Sequence, residues 1–246
     1  MRELRRRDLL LVALTFAAGS VDAVALLRLD VFTAVMTGNI VLLGLAVGQG
    51  AFGNALRSLI ALVAYAVGVI AGARIVGAVA IEIHWSPNVT RALAVEWVLQ
   101  AAFLIVWLLI GANPEGASAG TLIAFSGVAM GIQAATARAL APGMSTTYVT
   151  GTLTGLLSEL SALGAVSGDR RRRGSIVIAL ALGAVAGAVV LSTVPALAPT
   201  IPLVVIALAL GAVAGAVVLN TVPALAPAIP LAVVGAVVVV AATRFR

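Results

Sequence analysis

Polar side chains interrupt the first two apolar runs of the chain, and their types are those of a binding site rather than of membrane filling. In "MTGNIVLLGLA" a hydroxyl, a glycine and an amide occupy Thr37, Gly38 and Asn39. Asp22 lies in the preceding run, and a short turn separates the two runs. At about 1.5 Å of rise per residue, Asp22 and Thr37 fall at a similar depth below that turn. We therefore expect Asp22, Thr37 and Asn39 to line one polar cavity.

A second copy of this pattern lies in "STTYVTGTLTGLLSE", where Thr150 and Gly151 are followed by Thr152. The polar residue of the preceding run is here Gln133. Its depth matches that of Thr150 across a turn near residue 142, which predicts a second polar hairpin. The predicted substrate-binding residues are Asp22, Thr37, Gly38, Asn39, Gln133, Thr150, Gly151 and Thr152.

Ionisable side chains inside apolar runs form a second group of candidates. A charge at mid-membrane costs ~2.5–3.5 kcal/mol on insertion scales, so such residues default to functional hypotheses. Arg74 and Glu96 are of this kind, and Gln100 lies four residues after Glu96 on the same helix face. We expect these three residues to form a coupling site or gate in the outer half of the membrane. Polar contacts that only hold helices together, worth about 0.6 kcal/mol each, remain the alternative.

Composition excludes most other classes. The 246 residues are 62% hydrophobic and 10% charged, whereas a soluble domain carries roughly 25% charged residues. The chain has no cysteine and one histidine, and it contains no nucleotide-binding fingerprint and no nucleophile–base pair. We expect no enzymatic activity, no cofactor and no metal.

Apolar runs of about 18 residues or more indicate membrane-spanning helices. The chain is predicted to be an all-α polytopic transmembrane bundle in one domain, residues 1–246. The predicted spans are 9–27, 31–48, 58–81, 92–112, 119–141, 144–166, 175–192, 203–219 and 231–242.

Two repeats are visible. Residues 9–112 resemble 119–219, which predicts two four-span halves inserted in parallel. Residues 180–207 recur almost unchanged at 208–235 and predict one extra C-terminal span.

Two arginine clusters predict the orientation. Six predicted spans separate them, so both fall on one side, which the positive-inside rule assigns to the cytoplasm. The net charge of +6 indicates anionic lipid headgroups as partners, not nucleic acid. Repeated GxxxG motifs permit close helix contacts, and the sequence does not decide whether a second copy of the chain is a partner in a homo-oligomer. The clusters are Arg2, Arg5, Arg6 and Arg7, and Arg170, Arg171, Arg172 and Arg173.

The segments "GSVDAVALL…VFTAVMTGNIVLLGLA" and "GIQAATARALAPGMSTTYVTGTLTGLL" resemble the YoaK family of bacterial multi-pass membrane proteins of unknown function. The chain departs from the family pattern at Ala134, where asparagine is expected, and at Gly155. The resemblance implies the membrane class and no substrate. From the residues we expect a permease-like transporter of a small molecule or ion. The alternative is a membrane scaffold or regulatory protein.

Overall fold

The computed structural model describes residues 2–77, 86–140, 149–161 and 168–221. Helices are the only regular elements in these ranges. They are α1 (Arg2–Leu29), α2 (Met36–Gly48), α3 (Phe52–Val76), α4 (Pro87–Leu109), α5 (Gly116–Leu140), α6 (Val149–Ser161), α7 (Gly168–Thr193), a short 3₁₀ turn at Pro195–Leu197, and α8 (Thr200–Thr221). Among the described residues, α1, α3, α4, α5 and α7 are long and apolar enough to cross a membrane. The predicted helical membrane bundle is confirmed, and the predicted span 231–242 lies outside the described residues.

Local sequence signals fix several helix ends. The Ser86 side chain accepts a hydrogen bond from the Asn88 N–H, and Pro87 occupies the first turn of α4, where no intrahelical donor is needed. α3 ends at Gly77, whose φ of 70° is open to glycine and rarely to other residues. α7 ends at Thr193, ahead of the first proline-rich connector.

Two ion pairs mark the two ends of the molecule. Asp8, near the start of α1, pairs with Arg172, near the start of α7, at 2.7 Å. We call this the arginine end, because it brings the segments that carry both arginine clusters to one side. Asp30, just after α1, pairs with Arg57 of α3 at 2.9 Å at the opposite end.

Two apolar clusters show the direction of each helix. Near the arginine end, Leu10 of α1 packs with Val76 at the close of α3 and Val89 at the start of α4. At the opposite end the cluster combines the close of α1 and α4 with the beginnings of α3 and α5, in Leu29, Ala61, Trp107, Ala119 and Leu122. α1 and α4 therefore run away from the arginine end, and α3 and α5 run toward it.

The predicted crossing at 31–48 is therefore wrong. α1 ends and α3 begins at the same end of the molecule, so the segment between them enters the bundle and returns. Residues 30–35 form a non-helical linker, and the 13 residues of α2 extend only about 20 Å, short of a ~30 Å hydrocarbon core. α2 is thus a re-entrant helix whose N-terminus lies inside the bundle.

α6 occupies the matching position in the second half of the chain. It also has 13 residues. α5 ends near Leu10, with Leu140 in the same cluster, and α7 begins at the Asp8–Arg172 pair, so the chain leaves and returns at the arginine end. A net crossing by the predicted span 144–166 is excluded. Four crossings, not six, separate the arginine clusters, and this even number still puts both on one side.

Glycines allow two pairs of helices to approach closely. A side chain on Gly68 of α3 would overlap the carbonyl oxygen of Val128 in α5, and one on Gly131 would overlap that of Tyr65. Contacting residue numbers rise together in both helices, so α3 and α5 run parallel. The GxxxG motifs at Gly68/Gly72 and Gly127/Gly131 are used for packing as predicted.

α1 and α7 pack in the same way. A side chain on Gly183 would overlap the carbonyl oxygen of Phe16, and one on Gly19 would overlap that of Leu180. By contrast, nothing lies within 4 Å of a Cβ built on Gly44 or Gly48, so the motif in α2 takes no part in contacts among the described residues. α1 and α5 run in opposite directions, and the predicted parallel arrangement of the two halves is therefore wrong.

Helix contacts divide the described residues into two groups. The first bundle contains α2, α3, α4 and α5, in which α3 packs against the other three and α4 against α5. The second bundle contains α1, α6, α7 and α8, in which α7 packs against α1 and α6, and α8 against α1. Contacts between the bundles join α1 to α5 and α4 to α8, and the Trp107 indole N–H donates to the Pro195 carbonyl at 3.0 Å.

The re-entrant geometry of α2 predicts which side of the membrane its following turn faces. The exposed residues Gln49 and Asn113 should lie on one side and Arg171 on the other. Because the natural chain has no cysteine, single substitutions Gln49→Cys, Asn113→Cys and Arg171→Cys can be labelled in oriented vesicles with a membrane-impermeant maleimide. Cysteines at 49 and 113 should react from the same side. Reaction of cysteine 49 from the side that labels 171 would mean that α2 crosses.

Candidate functional site

The linker before α2 is held by a carboxylate. Asp22 Oδ1 accepts the backbone N–H groups of Thr33 at 2.7 Å and Ala34 at 2.8 Å, and Oδ2 accepts that of Val35 at 3.2 Å. Non-helical backbone at membrane depth is tolerated only where its polar groups are satisfied inside the protein. Asp22 lies seven residues before the end of α1, about 10 Å along the helix axis. Its charge also faces the positive N-terminal end of α2.

Asn39 completes the satisfaction of the linker. Its Oδ1 accepts the Phe32 N–H at 2.9 Å, and its Nδ2 donates to the Phe32 carbonyl at 2.6 Å. Asp22 and Asn39 together therefore accept four consecutive backbone N–H groups, from residue 32 to residue 35. The glycine beside Asn39 serves the same segment, because a Cβ on Gly38 would lie 2.8 Å from Cδ2 of the Phe32 ring.

The hydroxyl of the same motif is not part of this network. Thr37 is exposed on α2, while Asp22 and Asn39 are buried. The structure therefore brings Asp22, Gly38 and Asn39 together around one linker and leaves Thr37 outside it. The neighbouring hydroxyl of Thr33 instead bonds the hydroxyl of Ser126 in α5 at 2.9 Å, which fixes the linker to the first bundle.

A second buried polar cluster lies between α4 and α5. Gln133 Nε2 donates to Glu96 Oε1 at 2.8 Å, and Gln100 lies one turn further along α4. Glu96 and Gln133 are 0% exposed and Gln100 is 1% exposed. Glu96 is about 13 Å from the first residue of α4 along its axis, well inside the helix. We call these three residues the α4–α5 cluster.

This cluster contains polar atoms that the described residues leave unsatisfied. Glu96 Oε2 and Gln133 Oε1 lack a donor, and Gln100 Nε2 lacks an acceptor, among the residues that the structure describes. The indole N–H of the adjacent Trp97 also lacks an acceptor among the described residues. Buried polar groups are bonded in the great majority of native proteins. A concentration of unsatisfied acceptors and donors therefore indicates that something else completes them, such as a ligand, water or a proton.

The other predicted residues lie apart from both sites. In α6, Thr150 and Gly151 are exposed and Thr152 is buried. Arg74 is exposed in the last turn of α3, near the arginine end, and Glu96 lies closer to that end than to the other. Asp22 lies nearer the opposite end and so does not share a half of the membrane with Arg74 and Glu96. The expectation that placed Arg74, Glu96 and Gln100 in the outer half is wrong, because it rested on a crossing by α2.

Sequence reasoning missed two contacts that shape the sites. It did not identify the backbone of residues 32–35 as the partner of Asp22 and Asn39. It also missed the contact of Trp107 with the proline-rich connector, where Phe103 stacks on Trp107 with ring centroids 5.9 Å apart. The sequence offered no signal for the first contact, because Phe32 and Thr33 fall inside the apolar run 31–48 that was predicted to be a span.

The clamp formed by Asp22 predicts a large stability difference between two neighbouring substitutions. Asp22→Ala removes three hydrogen bonds to a charged acceptor, each worth about 1.5–3 kcal/mol, so we expect a loss of at least ~3 kcal/mol. The matched control Thr37→Ala, at an exposed position, should change stability by no more than about 0.5 kcal/mol. Unfolding followed by circular dichroism in detergent measures both. Equal stability of the two variants would refute the clamp.

Comparison with known proteins agrees with this architecture. The family described as "Protein of unknown function (DUF1275)" matches residues 10–210. The chain is 41% identical over 157 residues to the UPF0700 transmembrane protein YoaK of Bacillus subtilis (strain 168), which covers 63% of this chain and 68% of that protein. No solved structure matches. The family match takes in α2 to α7 whole, together with most of α1 and half of α8. It therefore includes both the Asp22 clamp and the α4–α5 cluster. The chain is a membrane protein that belongs to the DUF1275 family of YoaK-like transmembrane proteins.

Proposed function

We propose that the chain is a permease for a small molecule or ion, with no chemical step, and that the α4–α5 cluster is its binding site. The observation that carries this proposal is the set of unsatisfied polar atoms on Glu96, Gln100 and Gln133, all buried within membrane-crossing helices. Intramembrane ionisable residues are costly and mark substrate or ion pathways. The Asp22 clamp is a poorer candidate for the binding site, because the Asp22 carboxylate oxygens already accept three backbone N–H groups.

An internal repeat of inverted topology supports the proposal. Gly19 faces the Leu180 carbonyl and the Ala184 N–H, and Gly131 faces the Tyr65 carbonyl and the Val69 N–H. Gly131 lies 112 residues after Gly19 in the sequence. The partners of Gly19, Leu180 and Ala184, each lie 115 residues after the corresponding partner of Gly131. The same two offsets relate the contact of Phe16 with Gly183 to the contact of Val128 with Gly68, with Phe16 equivalent to Val128 and Gly183 equivalent to Gly68.

The repeat unit contains a crossing helix, a re-entrant helix and two further crossing helices. α1–α4 form the first unit, and its three crossings reverse the orientation of the second unit, α5–α8. α8, with 22 residues, takes the place of the third crossing in the second unit. The two 13-residue helices, α2 and α6, take equivalent places. Inverted repeats with short or interrupted segments at corresponding positions are a recurring transporter plan, in which the substrate site lies at the repeat interface.

The position of the α4–α5 cluster fits that plan. α4 belongs to the first unit and α5 to the second, so Glu96 and Gln133 bond across the interface of the units. Beside the cluster, Met130 of α5 and Leu99 of α4 pack against Ala18 and Val21 of α1 in the second bundle. Movement of one bundle against the other would open this site to one side at a time, as alternating access requires.

Membrane sidedness follows from the arginine end. We infer that this end, with both arginine clusters, faces the cytoplasm of a bacterial inner membrane and contacts anionic lipid headgroups. The Asp8–Arg172 pair supports a common side for the two clusters. The N-terminus is then cytoplasmic, and Gln49 and Asn113 face outward.

One observation favours the alternative of a non-transporting scaffold. Asp22 and Asn39 make bonds to the backbone of their own linker, which is a structural use of polar residues. The α4–α5 cluster distinguishes the two functions, because a scaffold has no need for unsatisfied buried atoms.

The permease proposal predicts solute uptake that depends on Glu96. Purified protein in proteoliposomes, supplied with a mixture of metabolites and ions, should accumulate at least one solute above protein-free vesicles. Glu96→Leu should reduce that uptake by at least about tenfold, equivalent to ~1.4 kcal/mol. The exposed loop residue Glu115 supplies the control, since Glu115→Gln should leave uptake unchanged. Gel filtration and circular dichroism confirm that each variant is folded.

Two outcomes would count against this proposal. Uptake that survives in folded Glu96→Leu would move the site away from α4 and α5. A screen in which native protein transports nothing beyond protein-free vesicles would favour the scaffold.

A further inference from the structure

We propose that Glu96 is a proton-binding site, in which a proton on Oε2 joins Glu96 to Gln133 as a reciprocal acid–amide pair. This inference rests on the proposed permease function and names the proton as its coupling ion. It concerns the same α4–α5 cluster and assigns a ligand to its unsatisfied atoms.

The atoms left unsatisfied are those that such a pair would use. One half of the pair is present, since Gln133 Nε2 donates to Glu96 Oε1 at 2.8 Å. Of the remaining atoms, Glu96 Oε2 and Gln133 Oε1 are both acceptors without donors among the described residues. A proton on Oε2 turns one of these acceptors into a donor. One proton therefore supplies both a bond for Gln133 Oε1 and charge neutrality for Glu96.

The surrounding helices offer Glu96 no positive side chain within the described residues. In α3, Arg57 is paired with Asp30 at the opposite end and Arg74 is exposed. Arg91 of α4 and Arg138 of α5 are also exposed. α8, which packs against α4, has no charged residue in its sequence. A buried ionised carboxylate without a partner costs several kcal/mol, and uptake of a proton removes that cost.

The remaining buried acid, Asp22 of α1, has a different environment. Three backbone N–H groups already satisfy its two oxygens, so its carboxylate has partners without a proton. Asp8, near the start of α1, pairs with Arg172. The proton site is therefore assigned to Glu96 alone.

The binding step is a simple proton transfer. The Glu96 carboxylate and one proton give the neutral carboxylic acid, whose O–H donates to Gln133 Oε1 while its carbonyl oxygen keeps the bond from Gln133 Nε2. Loss of the proton restores a negative charge in the cluster and breaks the reciprocal bond. The Glu96–Gln133 bond lies within the first bundle, beside the contact of Met130 and Leu99 with α1 of the second bundle. Protonation therefore changes the face that the first bundle presents to the second.

Infrared difference spectroscopy of the full chain in lipid vesicles tests this proposal with the proton alone. At neutral pH, where ordinary carboxyl groups are ionised, the native protein should show the carbonyl stretching band of a protonated carboxylic acid, shifted in heavy water. The band should disappear as the pH is raised further. Glu96→Gln should lose the band completely. The exposed Glu115→Gln serves as the matched control and should retain it. Gln133→Leu should retain the band at a higher frequency, because the acid carbonyl loses the Nε2 donor.

Three results would overturn the proposal. A native protein with no such band at neutral pH would show that Glu96 holds no proton there. A band of equal size in folded Glu96→Gln would assign the proton to another acid. A carboxylate band that persists at every pH and shifts on addition of sodium would mean that the site binds an alkali cation. If Glu96→Gln does not fold, an unchanged frequency in Gln133→Leu refutes the acid–amide pair.

The spectrum needs no transported solute, so its outcome is separate from that of the uptake screen. If Glu96 is protonated in a protein that transports no solute, the proton-site proposal stands and the permease proposal is refuted. Uptake that depends on Glu96, without the band, would leave the permease and remove the proton.

Discussion

The fold depends on satisfying four consecutive backbone N–H groups that belong to no helix. Residues 32–35 turn back into the bundle, where water cannot solvate their amides, and an unsatisfied group there costs several kcal/mol. Asp22 and Asn39 accept all four, and Gly38 leaves room for the Phe32 ring above them. With this linker fixed, α2 can bring the chain back to the end of the molecule at which α1 ends. The direction of every later helix follows from that return.

The sequence was sufficient for the class of protein and for the existence of helices around α1 to α8, and its GxxxG motifs indicated close helix packing without identifying the partners. It was not sufficient for the topology. The run 31–48 is long and apolar enough to read as a span, because hydropathy cannot distinguish a helix from a linker whose amides are satisfied by side chains elsewhere. That single error reversed the expected direction of α3, α4 and α5, and with it the positions of Arg74 and Glu96. Asp22 and Asn39 were chosen correctly as unusual residues, but their partners are backbone groups, which no side-chain pattern reveals.

Within the part of the chain that the structure describes, the polar cluster around the linker and the α4–α5 cluster differ in how completely their hydrogen-bonding atoms are satisfied. Around the linker, donors and acceptors match, so polar atoms there add rigidity. Between α4 and α5, Glu96, Gln100 and Gln133 are equally buried but leave atoms unsatisfied. The first arrangement is suited to holding a fixed structure and the second to exchanging a ligand. The displacement of 112 residues that relates Gly19 to Gly131 also relates Asp22 to Ala134 and Val21 to Gln133. The two halves thus share a backbone plan and differ in which half carries the clamp and which contributes the exchangeable site.

The three crossings of the first unit, α1, α3 and α4, have an evolutionary consequence if α1–α4 and α5–α8 are the inverted copies proposed above. A gene that encodes three crossings gives a product whose tandem copy must face the opposite way, so the two copies of an ancestral unit could combine only if that unit was able to insert in either orientation. Such dual insertion requires little bias in the charge of its loops. The present chain carries a strong bias, and both parts of it lie at one end, at the start of α1 and at the start of α7. These arginines stand at non-equivalent places in the two units, which is the pattern expected if they were acquired after fusion, when each copy had to be committed to a single orientation.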